Sequence, residues 1–234
     1  MPYGYPLQAG LCAATGVATV VSYLPPNYAT DEERARAKQD TIGRNQPRIN
    51  GIFTMHIRPW SILAVGLGQA YFLSTLKDPL PERYLRAVTV CNALAVAGGA
   101  LRWWCFRTLG KFFTFKLAIR DDHRLITTGP YKFLAHPSYT GMLLLGIASS
   151  PVFEGPLNPL LLLIPESKSS NRFNINMRAF VSIAITLVSV ARLAATPYYL
   201  FNRVRDEEEL MRGEFGEQYD EFLSHRWRLI PFIW

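Results

Sequence analysis

Apolar residues along this chain gather into long blocks, and the charges fill the intervals between them. Residues 7–24 carry no charged side chain, nor do residues 59–76. Each block is about 18 residues long, enough to cross a hydrocarbon core of roughly 30 Å at about 1.5 Å per residue. The pattern predicts a first span over 7–24, closed by Pro25 and Pro26, and a second over 58–76 with Trp60 and Tyr71 as interface anchors. A third span is expected over 84–105, where Gly98, Gly99 and Ala100 let another helix come close. A fourth apolar stretch, 137–164, is interrupted by Pro151, Gly155, Pro156 and Pro159, so it is broken or re-entrant. The fifth span covers 178–200, with Pro197 marking a kink near its end, and an amphipathic charged helix is expected over 201–225.

The fold class these blocks predict is an all-α integral membrane protein of about five transmembrane helices with a C-terminal cytosolic helix. Residues 1–105 form an N-terminal group of three spans, and 106–234 a second region with two more. The N-terminus lacks the basic start of a secretory signal, so residues 7–24 are read as a retained span. Five spans put segments 25–57, 106–136 and 201–234 on one side. They hold most of the Lys and Arg, which makes that side cytosolic.

Net charge, +7 at neutral pH, changes this picture only slightly. The basic residues lie between membrane blocks, so anionic lipid headgroups suit them better than nucleic acid. Cys12, Cys91 and Cys105 lie in or beside apolar blocks without metal-like spacing, and are read as small hydrophobes.

Two polar clusters carry candidate chemistry, both on the expected cytosolic side. The first runs from His123 through Gly129-Pro130-Tyr131 to His136-Pro137-Ser138-Tyr139-Thr140-Gly141. Gly-Pro marks a turn, and proline after His136 sits at a first helical position, where its missing N–H costs nothing. The N–H groups of that helix start can hold an anion, or His136 and Ser138 can simply cap a membrane helix. The second cluster runs from Arg203 through Asp206-Glu207-Glu208-Glu209 to Phe215-Gly216-Glu217-Gln218-Tyr219. Arg203 and Glu207, Arg205 and Glu209, and Glu208 and Arg212 are each four apart and share helix faces, as in any solvated helix with weak ion pairs. Four consecutive acids, 206–209, beside a span nevertheless need compensation, which a bound sulfonium or ammonium would supply.

The ordered set His123-x-Leu-Ile-x-x-Gly-Pro-Tyr131, His136-Pro-Ser-Tyr-x-Gly141, Arg203-x-x-x-Glu207-Glu208 and Phe215-Gly216-x-x-Tyr219 resembles the isoprenylcysteine carboxyl methyltransferases. The likeness runs from about Leu101 to the C-terminus and includes the approach 107–115; the first 80 residues add only compatible spans. The resemblance implies an endoplasmic-reticulum membrane enzyme that uses S-adenosyl-L-methionine to methylate the C-terminal carboxylate of a prenylated cysteine. Carried onto this chain, it implies cofactor contacts at Lys116, His123, Arg124, Leu125, Ile126, Tyr131, His136, Pro137, Ser138, Tyr139 and Glu207. Arg203 would face the substrate carboxylate as the catalytic residue. Two positions depart from the family pattern: Ala135 stands where many members have arginine, and Lys116 where animal members have glutamine. Phospholipid methyltransferases carry a similar His-Pro and Glu-Glu arrangement, and sterol reductases a comparable C-terminal region with a nicotinamide cofactor. Both remain alternatives, as does a non-catalytic membrane interaction protein.

Overall fold

The computed structural model describes residues 4–24, 57–113, 124–164 and 176–233. The described residues are helical. They form α1 (Pro6–Tyr23), α2 (Arg58–Thr75), α3 (Glu82–Leu109), α4 (Pro137–Phe153), α5 (Met177–Phe215) and α6 (Glu217–Ser224), with short 3₁₀ turns between. Among them there is no β-strand, only an isolated parallel bridge between Leu134 and Trp227. The expected polar connectors 27–57 and 165–177 lie almost wholly outside the described residues.

Two helical regions, Glu82–Phe112 and Met177–Phe215, are long and apolar enough to cross a membrane. Only 6% of the most apolar window of the second is buried in the protein. Phe180, Ile183, Leu187 and Val188 on α5 point outward, an apolar surface that lipid suits and water does not. The other expected spans are helices too: α1 and α2 have 18 residues each and α4 has 17. These lie at the short end of what a crossing needs.

The chain forms two compact units. The first draws on Met1–Val20, Arg58–Ala97 and Leu144–Ala195. Its core packs Cys12, Ile62, Leu73, Val88, Val152 and Phe153. Backbones approach closely at Gly66, where an added Cβ would lie 2.8 Å from the Cys12 carbonyl oxygen. Buried side-chain donors find acceptors inside this apolar setting. Thr15 Oγ1 donates to Asn92 Oδ1 at 2.7 Å, and Gln69 Nε2 donates to the Val152 carbonyl at 2.9 Å. Glu154 takes Arg58 at 3.3 Å and Arg192 on its other oxygen.

The break expected in the fourth apolar stretch is present. Pro151 is accommodated inside α4, which ends at Phe153, and a 3₁₀ turn follows over Pro159–Leu163. The backbone groups freed between them find partners. Leu157 N–H donates to the Pro151 carbonyl, Asn158 Nδ2 to the Phe153 carbonyl, and Tyr84 Oη to the Leu157 carbonyl. Irregular backbone is tolerated here because protein groups satisfy it.

The second unit draws on Val21–Ile57, Gly98–Leu143 and Thr196–Trp234. Here the small residues of α3 do what the sequence suggested. A Cβ on Gly141 of α4 would lie 2.7 Å from the Gly98 carbonyl oxygen, so the two backbones nearly touch.

One element differs from expectation. The charged segment after residue 200 is not a separate helix; α5 runs unbroken through Pro197 to Phe215. Its 39 residues extend roughly 58 Å, about twice what a bilayer core needs. The pair Glu208–Arg212, at 3.3 Å, supports the extension. The helix ends at Gly216, whose φ of +53° is left-handed and favours glycine.

Candidate active site

The site is assembled within the second unit from the start of α4, the extension of α5 and the segment of chain after α6. Proline sets the first of these: α4 begins at Pro137, and Tyr139 N–H donates back to the His136 carbonyl at 3.1 Å. The turn before it, Gly129–Lys132, starts on Gly129 with φ +58°, again a left-handed residue. Tyr131 from this turn is buried.

His136 lies at the centre and is 3% exposed. Its Nδ1 is 3.5 Å from Glu207 Oε1 and its Nε2 is 3.4 Å from Glu208 Oε1. Burial works against the imidazolium, but the two carboxylates outweigh it and hold the His136 pKa up at about 9. Glu207 stands on α5 beyond the apolar stretch. Burial there opposes its charge, but contact with His136, Tyr139 and Arg203 prevails and lowers its pKa to about 2. Both partners are therefore charged at neutral pH. Glu207 Oε2 also accepts a 2.6 Å hydrogen bond from Tyr139 Oη, and that hydroxyl accepts from Arg203 Nε at 3.2 Å. Arg203, Tyr139, Glu207 and His136 thus form one connected cluster. The side chain of Glu207 remains 31% exposed while its charge is fixed.

Glu208 is different. It is 8% exposed and receives Arg228 Nε at 2.7 Å and Arg212 Nη2 at 3.3 Å, besides His136. Its compensation is internal, so of the three adjacent glutamates only Glu207 joins a fixed charge to an open face beside Arg203. Glu209 is solvated and pairs loosely with Arg205 at 4.0 Å.

Arg102 on α3 is 4% exposed. It donates to Ser138 Oγ at 2.7 Å, to the Ser138 carbonyl at 3.2 Å and to the Ser22 carbonyl at 2.7 Å. Ser138 is thus held inward, while Tyr139 turns toward the acids. Behind His136 the chain after α6 runs alongside: Ala135 N–H donates to the Trp227 carbonyl at 2.8 Å, and His136 N–H to the Arg228 carbonyl at 2.9 Å.

Of the expected site residues, Tyr131, His136, Pro137, Ser138, Tyr139, Arg203 and Glu207 fall in this one unit. Arg124 is exposed and Leu125 and Ile126 are half-buried. Leu125 packs on the Ala135, Tyr219, Phe222 and Leu223 cluster. Lys116 and His123 lie outside the described residues. The Phe-Gly-x-x-Tyr motif is structural, since Gly216 turns the chain and Tyr219 is 2% exposed in that cluster. Ala135 is buried in the same cluster, where a methyl group fits. Arg102 and Arg228 were not singled out from the sequence. Isolated arginines carry no spacing signal, and only their partners show their use.

In sequence, the chain is similar to proteins named as isoprenylcysteine carboxyl methyltransferases. The model of the isoprenylcysteine carboxyl methyltransferase family matches residues 90–166. A probable protein-S-isoprenylcysteine O-methyltransferase of Oryza sativa subsp. indica is 25% identical over 175 residues, covering 74% of this chain and 76% of the relative. Protein-S-isoprenylcysteine O-methyltransferase B of Arabidopsis thaliana is 26% identical over 142 residues, covering 60% and 57%. The Tribolium castaneum protein-S-isoprenylcysteine O-methyltransferase is 27% identical over 182 residues, covering 76% and 53%. The family resemblance read from the motifs is thus met independently, over a segment that contains the Gly129 turn and the whole of α4.

Proposed function

We propose that this chain is a membrane-embedded isoprenylcysteine carboxyl methyltransferase, which converts the C-terminal carboxylate of a prenylated cysteine to its methyl ester. The observation that carries the chemistry is the pairing of a fixed anion, Glu207, with a guanidinium, Arg203, across the hydroxyl of Tyr139. A carboxylate acceptor with a pKa of about 3.5 is already ionised at neutral pH and needs no general base. It needs alignment and partial loss of water. Arg203 supplies a partner for it, in the bidentate mode that guanidinium and carboxylate favour.

S-adenosyl-L-methionine, when bound, supplies the methyl group on a sulfonium centre. The donor set suits such a cation: Glu207 is held ionised by His136 and keeps an open face. Tyr131, His136, Tyr139 and Glu207 form the wall we assign to it, with Arg124, Leu125 and Ile126 beside the Gly129 turn. Lys116 and His123 complete the assignment by resemblance. In this scheme His136 holds Glu207 charged and in place, Tyr139 orients its Oε2, and Arg203 receives the acceptor. The prenyl tail partitions into the apolar surroundings of the spans. The same reading makes the protein a multi-pass enzyme of the endoplasmic reticulum with five spans and a cytosolic site.

An amine acceptor would gain nothing from Arg203, which disfavours a phospholipid substrate. The test is transfer of labelled methyl from S-adenosyl-L-methionine to farnesylcysteine with a free carboxylate, using membranes that contain the protein. A base-labile product is expected. A base-stable product would instead establish an amine acceptor, and no transfer by well-folded protein would refute the assignment.

A further inference from the structure

The chain after α6 carries an apolar surface that the site does not use. Phe232 is 87% exposed and Ile233 78%, with Ile230 and Trp227 also at the surface. These side chains are organised as one patch. The Phe232 ring lies 4.7 Å from that of Trp227, centroid to centroid, and a turn closes with Ile233 N–H donating to the Ile230 carbonyl at 3.1 Å. The bridge between Leu134 and Trp227 brings the exposed Phe133 to the neighbourhood of the same segment. Lys132 Nζ stands 5.9 Å from the Phe133 ring centre. Arg226, also in this segment, is held by the Tyr131 carbonyl at 2.8 Å and over the Phe222 ring.

The height of this patch along α5 is fixed by packing. Leu229, between Trp227 and Ile230, is 3% exposed and packs with Leu200 and Val204 of α5. Immediately before Leu200, Tyr198 and Tyr199 point outward, with exposures of 70% and 59%. They close the apolar stretch of α5, the position where tyrosines mark the edge of a bilayer. Val204 is one turn further on, about 6 Å along the axis. The C-terminal patch is therefore anchored within about a turn of the level at which α5 leaves the hydrocarbon. Exposed aromatic and aliphatic residues beside basic ones, at that level, have the composition of an interfacial anchor.

We infer that residues 227–233 dock on the bilayer surface at the side where α5 emerges, with Phe232 and Ile233 inserted at the headgroup boundary and Lys132 and Arg226 beside anionic headgroups. The occupant of the patch is lipid, not a second protein. The inference does not depend on which reaction the site performs. Through the hydrogen bonds from Ala135 and His136 to this segment, the anchor also ties the start of α4 to the membrane surface.

The experiment uses the full chain in nanodiscs, with p-benzoylphenylalanine in place of Phe232 in one protein and of Ile233 in a second. Both positions are exposed, so either replacement leaves the core untouched. Illumination followed by mass spectrometry is expected to give lipid adducts at both positions. Their yield should be several-fold higher in phosphatidylcholine discs containing phosphatidylserine than in phosphatidylcholine alone. Adducts to a second copy of the chain, or adducts without lipid, overturn the inference. Equal yields in the two lipid mixtures overturn the role given to Lys132 and Arg226.

Discussion

Glu208 is an acid that the protein has neutralised with its own cations, and Glu207 beside it is one whose charge is kept partly open. One residue apart on α5, they face different work because α4 and the chain after α6 meet them differently. Arg228→Ala removes the 2.7 Å partner of a nearly buried carboxylate, and should cost about 2 kcal/mol of stability. A thermal or denaturant midpoint in detergent reads this loss, and an unchanged midpoint would show the pair to be ornamental. His136 makes a prediction about pH. Its pKa in the folded protein, about 9, lies above its ordinary value of 6.5. The stabilisation from its ion pairs is fully present below about pH 6.5 and is lost as pH rises through 9. Thermal midpoints should fall between neutral pH and pH 10 for the natural chain, and fall less for His136→Asn. Motif spacing made His136, Tyr139, Arg203 and Glu207 legible, because each belongs to an ordered pattern. Arg102 and Arg228 were not legible: they act on Ser138 and Glu208 from 36 and 20 residues away, and one arginine in an aromatic setting has no periodicity.

At the scale of elements, hydrophobic blocks located the helices well, since charge-free runs of this length have few other uses. α1 and α2 begin and end within one or two residues of the expected spans. The prolines and glycine of 151–159 correctly marked where α4 stops, because the freed carbonyls and N–H groups need outside partners. The continuity of α5 was not legible. The change from apolar to charged residues near 200 looked like a boundary, whereas it is a change of surroundings along one helix. Close approach of α3 and α4 gives the test at this scale. Gly141→Val would place side-chain carbon against the Gly98 carbonyl and the Arg102 backbone. Overpacking there should cost about 2 kcal/mol and lower methyl transfer, since Arg102 also holds Ser138 at the start of α4. Gly146→Ala, on the same helix with open space around it, should be neutral in the same assays.

For the whole molecule, surface chemistry and similarity converge on a membrane enzyme. α5 leaves its apolar face outside the protein, and the family match covers the segment from late α3 through α4. The family-model match stops at residue 166, and the acids and Arg203 of α5 enter the site on motif and geometry. Arg203 and Glu207 therefore carry the proposed chemistry. The most direct measurement is steady-state transfer to farnesylcysteine by Arg203→Ala and Glu207→Gln, with S-adenosyl-L-methionine and acceptor varied separately. Arg203→Ala should lower kcat/KM for the acceptor roughly a hundredfold, about 2.7 kcal/mol in the transition state, with little change in cofactor affinity. Glu207→Gln should weaken cofactor binding instead. Natural turnover in both variants, or loss of cofactor binding in Arg203→Ala alone, would contradict the site described for this protein.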